Sequence, residues 1–142
     1  MVDELDREQL WAKKIESNKF MICCIPFFIY DLSLGDIVET DESYLVKSVF
    51  SRSGRFVFRV WLLSEDSAER IAVAENLTKM GALLEQSSAN LFAVDASSEK
   101  LAAEVSGFML ELEGKGIIQY ETGNTYSNLS CTIPAYVEFI GT

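Results

Sequence analysis

Arg55-Phe56-Val57-Phe58-Arg59-Val60-Trp61-Leu62 alternates with period two. Phe56, Phe58, Val60 and Leu62 share one face and Arg55, Val57, Arg59 and Trp61 the other, so the octapeptide reads as a strand with one wholly apolar side. The period then changes. Ser64-Glu65-Asp66 opens a helix, with Ser64 or Ser67 as N-cap and acids in the first turn. Ile71, Val73, Ala74, Leu77 and Met80 form its apolar stripe, and Gly81 stops it. Residues 82–86 and 90–95 read as two strands joined at Ser87-Ser88-Ala89. Ser97 or Ser98 caps a second helix, in which Leu101, Val105, Phe108 and Leu112 recur at helical spacing. Gly114-Lys115-Gly116 ends it, and residues 117–121 are a last strand. The order over 54–121 is β-α-β-β-α-β, which predicts a ferredoxin-like unit.

Towards the N-terminus the pattern is all strand and turn. Residues 10–16 and 19–25 flank Ser17-Asn18, a turn-favouring pair. Pro26 and the aromatic run Phe27-Phe28-Ile29-Tyr30 follow, then a Gly35-Asp36 turn, a strand from Ile37 and a β-rich stretch over 44–50. Asp36 after Gly35 reads as a turn former rather than a general base. These spacings predict a small barrel-like β module over 9–52, hinged at residues 51–54, behind a tail of residues 1–8. The C-terminal tail, 122–142, is rich in Gly, Asn, Ser and Tyr, and residues 133–140 predict one added strand. The fold class is α+β.

The chain has 142 residues, 22 acidic and 12 basic, no histidine, and a net charge of −10. With so few cations it does not read as a nucleic-acid binder, because phosphate recognition needs Lys and Arg. Without histidine there is no His triad, His base or His metal site. No run approaches the roughly 20 apolar residues of a membrane span, and the acidic, polar start does not read as a signal peptide. Cys23, Cys24 and Cys131 make an odd set without a Cys-x-x-Cys, so they read as small buried hydrophobes rather than disulfides or zinc ligands. The sequons at Asn76 and Asn128 then read as chance matches. The implied compartment is a reducing cytoplasm, with no cofactor.

No phosphate loop, nucleophile elbow or Ser-x-x-Lys occurs, and no catalytic residue is expected. Two constellations remain. Arg59 and Trp61 lie on the face of their strand away from the helices. Arg59 is expected opposite Gln119 or Glu121 as a cross-strand pair, with Trp61 packed on the N-terminal module or a partner subunit. The functional alternative is a ligand site or homodimer contact on an open sheet face. The second constellation is acidic. Residues 1–60 carry 10 acids and 8 bases, residues 61–142 carry 12 and 4. Glu69, Glu75, Glu104 and Glu111, on the two helices, are either a solvated face or a negative patch that steers a basic partner.

The early Trp11, then Ile25-Pro26-Phe27-Phe28-Ile29-Tyr30 with Leu32-Ser33-Leu34-Gly35-Asp36-Ile37-Val38, then Phe56-Val57-Phe58-Arg59-Val60-Trp61-Leu62, is similar to a family of small bacterial proteins, the domain of unknown function 4265, over about residues 9–121. The resemblance implies no catalytic residue. In size, charge and compartment the chain also resembles immunity proteins of bacterial polymorphic toxin and contact-dependent inhibition systems. Together these readings predict a non-enzymatic acidic protein that binds and neutralises a cognate basic toxin such as a nuclease. The alternative is a small regulatory or ligand-binding module, homodimeric through the open sheet face.

Overall fold

The computed structural model describes residues 8–123 and the backbone of 135–139. Cys131, the Asn128 sequon and most of the C-terminal tail lie outside the described residues. The elements follow the order β1 (Glu8–Glu16), β2 (Lys19–Ile22), β3 (Ile37–Thr40), β4 (Val46–Ser51), β5 (Phe56–Leu62), α1 (Ser67–Met80), β6 (Leu83–Gln86), β7 (Leu91–Ala96), α2 (Glu99–Gly114), β8 (Ile118–Thr122) and β9 (Ala135–Phe139).

They form two sheets in an α+β arrangement. Sheet one runs β4-β3-β2-β1-β9 and sheet two β6-β7-β5-β8. Every pairing in sheet two is antiparallel, with Arg59 opposite Ala93 on one side and Glu121 on the other. In sheet one β1 to β4 form an antiparallel meander, turned first at Asn18 with φ of 61°. β9 pairs parallel to β1, Leu10 opposite Val137. Residue 8, expected in a tail, is the first residue of β1 and is buried.

Each sheet has its own core. Phe58, Val60, Phe92 and Val94 face the helices and meet Val73, Leu77, Val105 and Met109. Leu10, Phe20, Ile22, Leu32 and Val38 fill sheet one. The even face of β5 is therefore apolar and packed, as its alternation predicts. α1 is capped by Asp66, whose carboxylate accepts from Ala68 and Glu69 N–H, rather than by Ser64 or Ser67. The anionic cap also faces the positive end of the helix dipole, which a serine cannot exploit. Ser98 caps α2, and Gly81, at φ 104°, closes α1. Ile71 of the expected α1 stripe is exposed instead, since Val73 and Leu77 turn the helix by a different face onto the sheet.

Candidate functional site

The aromatic run after Pro26 belongs to a strap without strand pairing. Residues 24–31 leave sheet one and cross the face of sheet two opposite the helices, where Ile25 and Phe27 pack on Val57 and Ala93. Two carboxylates hold the strap's backbone between residues 25 and 29. Glu8 accepts from the N–H of Phe27 (2.6 Å), Phe28 (2.9 Å) and Ile29 (2.8 Å). Glu85, reaching from β6, accepts from Ile25 N–H at 2.9 Å. Arg59 holds its far end. Its guanidinium donates to the Ile29 carbonyl, lies 3.7 Å from Glu121 and sits 4.9 Å over the Tyr30 ring. Tyr30 in turn donates its hydroxyl to Glu121 at 3.0 Å.

This strap corrects one expectation. The sheet face bearing Arg59 and Trp61 is not open. Arg59 is 1% exposed, and Trp61 is half-buried. A guanidinium taken out of water and engaged on three sides holds its own chain together and cannot reach a partner. The cross-strand pairing expected for it, with Glu121, is the one found. Burial lowers the Arg59 pKa, with Glu121, Glu8 and Tyr30 opposing.

The Leu34-Gly35-Asp36 turn is also architectural. Asp36 is buried and accepts from Ser33 and Ser53 N–H at 2.9 and 2.8 Å, so it ties its own turn to the hinge between the sheets. Gly35 has φ of 84°, and a Cβ there would lie 3.1 Å from that of Ser53. Both the backbone angle and the close approach require glycine.

Between the strap, β1 and the edge strand β6 lies a cleft of about 620 Å³, lined by Glu8, Trp11, Cys23, Cys24, Phe27 and Glu85 among others. Trp11 is 48% exposed at its mouth. Cys23 and Cys24 are free thiols. Cys23 donates to the Met21 carbonyl at 3.4 Å. Burial pushes the Cys24 thiol up to about 12, helped by the negative charges of Glu85 and Glu8 and opposed by a hydrogen bond from backbone. A thiol held protonated is a packing group, not a nucleophile. Among the described residues no three Cys, Asp or Glu side chains converge as a metal-ligand set. Nor is any helix there long and apolar enough to cross a membrane.

The segments that build strap, turn and β5 are those quoted above for their family resemblance, and residues 8–120 match the family described as a domain of unknown function, DUF4265. The chain belongs to the DUF4265 family. Among solved structures, this DUF4265 chain is similar to a hypothetical protein from Neisseria gonorrhoeae known from a crystal structure. The TM-score is 0.62 at 18% identity, with 87% of this chain and 97% of that one covered, a likeness of fold alone. No curated relative matches the chain.

Several acidic residues of this DUF4265 protein are engaged by its own chain. Glu8, Asp36, Asp66, Glu85 and Glu121 accept hydrogen bonds from the chain itself. Asp95, its side chain fully buried, pairs with Arg55. Glu69, Glu75, Glu104 and Glu111 are all exposed. They do not form one acidic layer. α1 contains two acids, Glu69 and Glu75, and two bases, Arg70 and Lys79, so it is neutral; α2 contains four acids and one base. Glu69 accepts from Ser64 Oγ at 2.6 Å, and Glu111 lies 3.3 Å from Lys115. The expected negative patch thus contracts to α2. There Glu104 and Glu111 bracket Gly107 on one side, and Leu110, on its other side, is 61% exposed. Nothing lies within 4 Å of where a Gly107 side chain would begin.

Proposed function

We propose that this protein is a non-catalytic binding protein that docks a basic protein partner on the outer face of α2. The observation that carries the reading is Leu110, a large apolar side chain left in water one turn along α2 from Gly107, whose other side carries Glu104 and Glu111. Gly107 supports it. A mid-helix glycine costs stability, and the fold has no packing need for one there. A glycine at that point admits the close approach of another chain, while carboxylates on either side attract Lys and Arg and speed encounter.

Within this class the most specific reading is an immunity protein acting in the cytoplasm. It would neutralise a cognate toxin whose basic surface, such as that of a nuclease, complements α2. The unit from β5 to β8 is read as ferredoxin-like, supported by its β-α-β-β-α-β order and the strand order β6-β7-β5-β8. Such a unit offers its helical layer outward when its other face is covered, as the strap covers it here.

The experiment is co-purification from the native host, followed by kinetics with the partner recovered. A basic partner that arrests growth when expressed alone, with growth restored by this protein, is the expected result. Glu104→Lys with Glu111→Lys should slow association by on the order of tenfold at low salt, and less at high salt. An unchanged association rate would refute the α2 site, and a partner that is harmless when expressed alone would refute the immunity reading.

A further inference from the structure

We infer that the outer edge of β6 is an acceptor for an extended segment of a partner protein in which apolar and basic side chains alternate. β6 ends sheet two and, among the described residues, pairs only with β7. Ser87 N–H bonds the Leu91 carbonyl at 2.9 Å, in the same register that sets Glu85 opposite Ala93 and Leu83 opposite Asp95. In an antiparallel ladder the hydrogen-bonded pairs alternate, so Leu83 and Glu85 bond inward to β7. Leu84 and Gln86 therefore turn their N–H and C=O outward, and among the described residues neither backbone N–H meets a partner.

The side chains that flank this edge differ on its two faces. On the helix side is a mainly apolar cleft of about 480 Å³ lined by Leu62, Ile71, Ala74, Leu84 and Phe92, with Arg70, whose guanidinium is held by the Ser64 and Ala89 carbonyls, also on its wall. Ile71 stands 58% exposed at its rim. On the strap side is the cleft of about 620 Å³ with Trp11, Glu8 and Glu85. Glu8 there is buried, bonds three N–H groups and has the Arg59 cation nearby, whereas Glu85 is half-buried, bonds only the neutral Ile25 N–H and has no ion-pair partner within 4 Å among the described residues, so its charge is left uncompensated. A strand laid on β6 would send successive side chains to opposite faces. One set meets the apolar cleft, the other the Glu85 carboxylate and the Trp11 ring, which suits a Lys or Arg. Main-chain pairing would supply the common affinity and the two clefts the sequence preference. A second copy of this chain fits poorly, because antiparallel β6 strands would bring their own Glu85 carboxylates together. The β6 edge shares no residue with the α2 face and does not depend on the toxin reading.

The probe is the capped hexapeptide Val-Lys-Val-Lys-Val-Lys, titrated into the full chain and followed through backbone amide resonances. The expected result is shifts centred on residues 83–86, with the Leu84 and Gln86 amides exchanging at least tenfold more slowly at saturation. The fully N-methylated peptide, and the peptide with Glu in place of Lys, should each bind about tenfold more weakly or worse. Gln86→Pro removes an outward donor without taking a bond from β7, and should weaken binding similarly while the remaining amide spectrum is retained. Absence of shifts in β6 at millimolar peptide, equal binding of the N-methylated or Glu peptide, or self-association through β6 that excludes the peptide would each overturn the inference. The peptide controls use the unaltered protein, so the conclusion does not hang on the folding of the proline variant.

Discussion

Glu8→Ala isolates the clamp on the strap. Glu8 holds three consecutive N–H groups, and hydrogen bonds to a charged partner contribute about 1.5–3 kcal/mol each when measured singly. They are not additive here. Phe28 is exposed and Phe27 half-buried, so water can replace the carboxylate at both. Ile29 is buried, and its stranded N–H should cost about 1–3 kcal/mol. Arg59 also loses a nearby anion. The expected loss is about 3 kcal/mol out of a typical total of 5–15. With a urea slope of about 2 kcal/mol/M, the unfolding midpoint should fall by roughly 1.5 M. Glu8→Gln sharpens the test. Oε1 serves both Phe28 and Ile29, whereas Oε2 serves Phe27 alone. The amide should therefore keep its oxygen on the first pair and set its NH2 against Phe27, losing about half as much. A Glu8→Ala loss below about 1 kcal/mol, or equal losses for the two variants, would show that the strap is held by its apolar contacts instead.

Gly107→Ala should stabilise the protein by about 0.5–1 kcal/mol, read from thermal or urea unfolding, because the helix gains a better residue and the new methyl meets nothing. The same variant should bind the basic partner less well if α2 is the docking face. Cys24 should resist thiol reagents in the folded Cys23→Ser variant at pH 8 and react on unfolding, measured by peptide mapping. Because its folded pKa is raised from 9.0 to about 12, the protonated thiol's contribution to stability is full below pH 9 and declines as pH climbs towards 12. Tyr30 should ionise above the ordinary tyrosine range in an ultraviolet titration, since burial, then its hydrogen bond to Glu121 and that residue's charge, favour the neutral phenol. Its contribution is likewise full below about pH 10 and lost above, and Tyr30→Phe should abolish that late step.

Local pattern carried the second half of the fold and little of what covers it. The two faces of β5, the Ser98 cap and the Gly81 stop are decided by residues close in sequence, and each was readable. Even the Arg59 to Glu121 pairing follows once the strand order is assumed. The strap was not readable, because Ile25-Pro26-Phe27-Phe28-Ile29-Tyr30 has the composition of a strand. Its path is set by Glu85, 60 residues away, and by Glu8, about 20 residues before it. A carboxylate that accepts backbone N–H groups leaves no periodic trace in a sequence. The same blindness made the acidity look like one surface, when part of it is internal scaffolding. Spacing alone places Ile71 in the core, although Val73 and Leu77 suffice to seat α1.

The parallel pairing of β9 with β1 bears on how the chain is made. Sheet two is continuous from Phe56 to Thr122, so all its strands and both helices can assemble as soon as that stretch has left the ribosome. Sheet one cannot finish then. Leu10 must wait for Val137, and until it arrives β1 presents a bare edge over Glu8 to Ala12, with Leu10 and Trp11 on it. Long-range closure of this kind slows folding, and a waiting edge of this kind templates pairing with other chains. A fragment ending at residue 123 would hold that vulnerable state permanently, and would be expected to aggregate through β1 although its second sheet is intact.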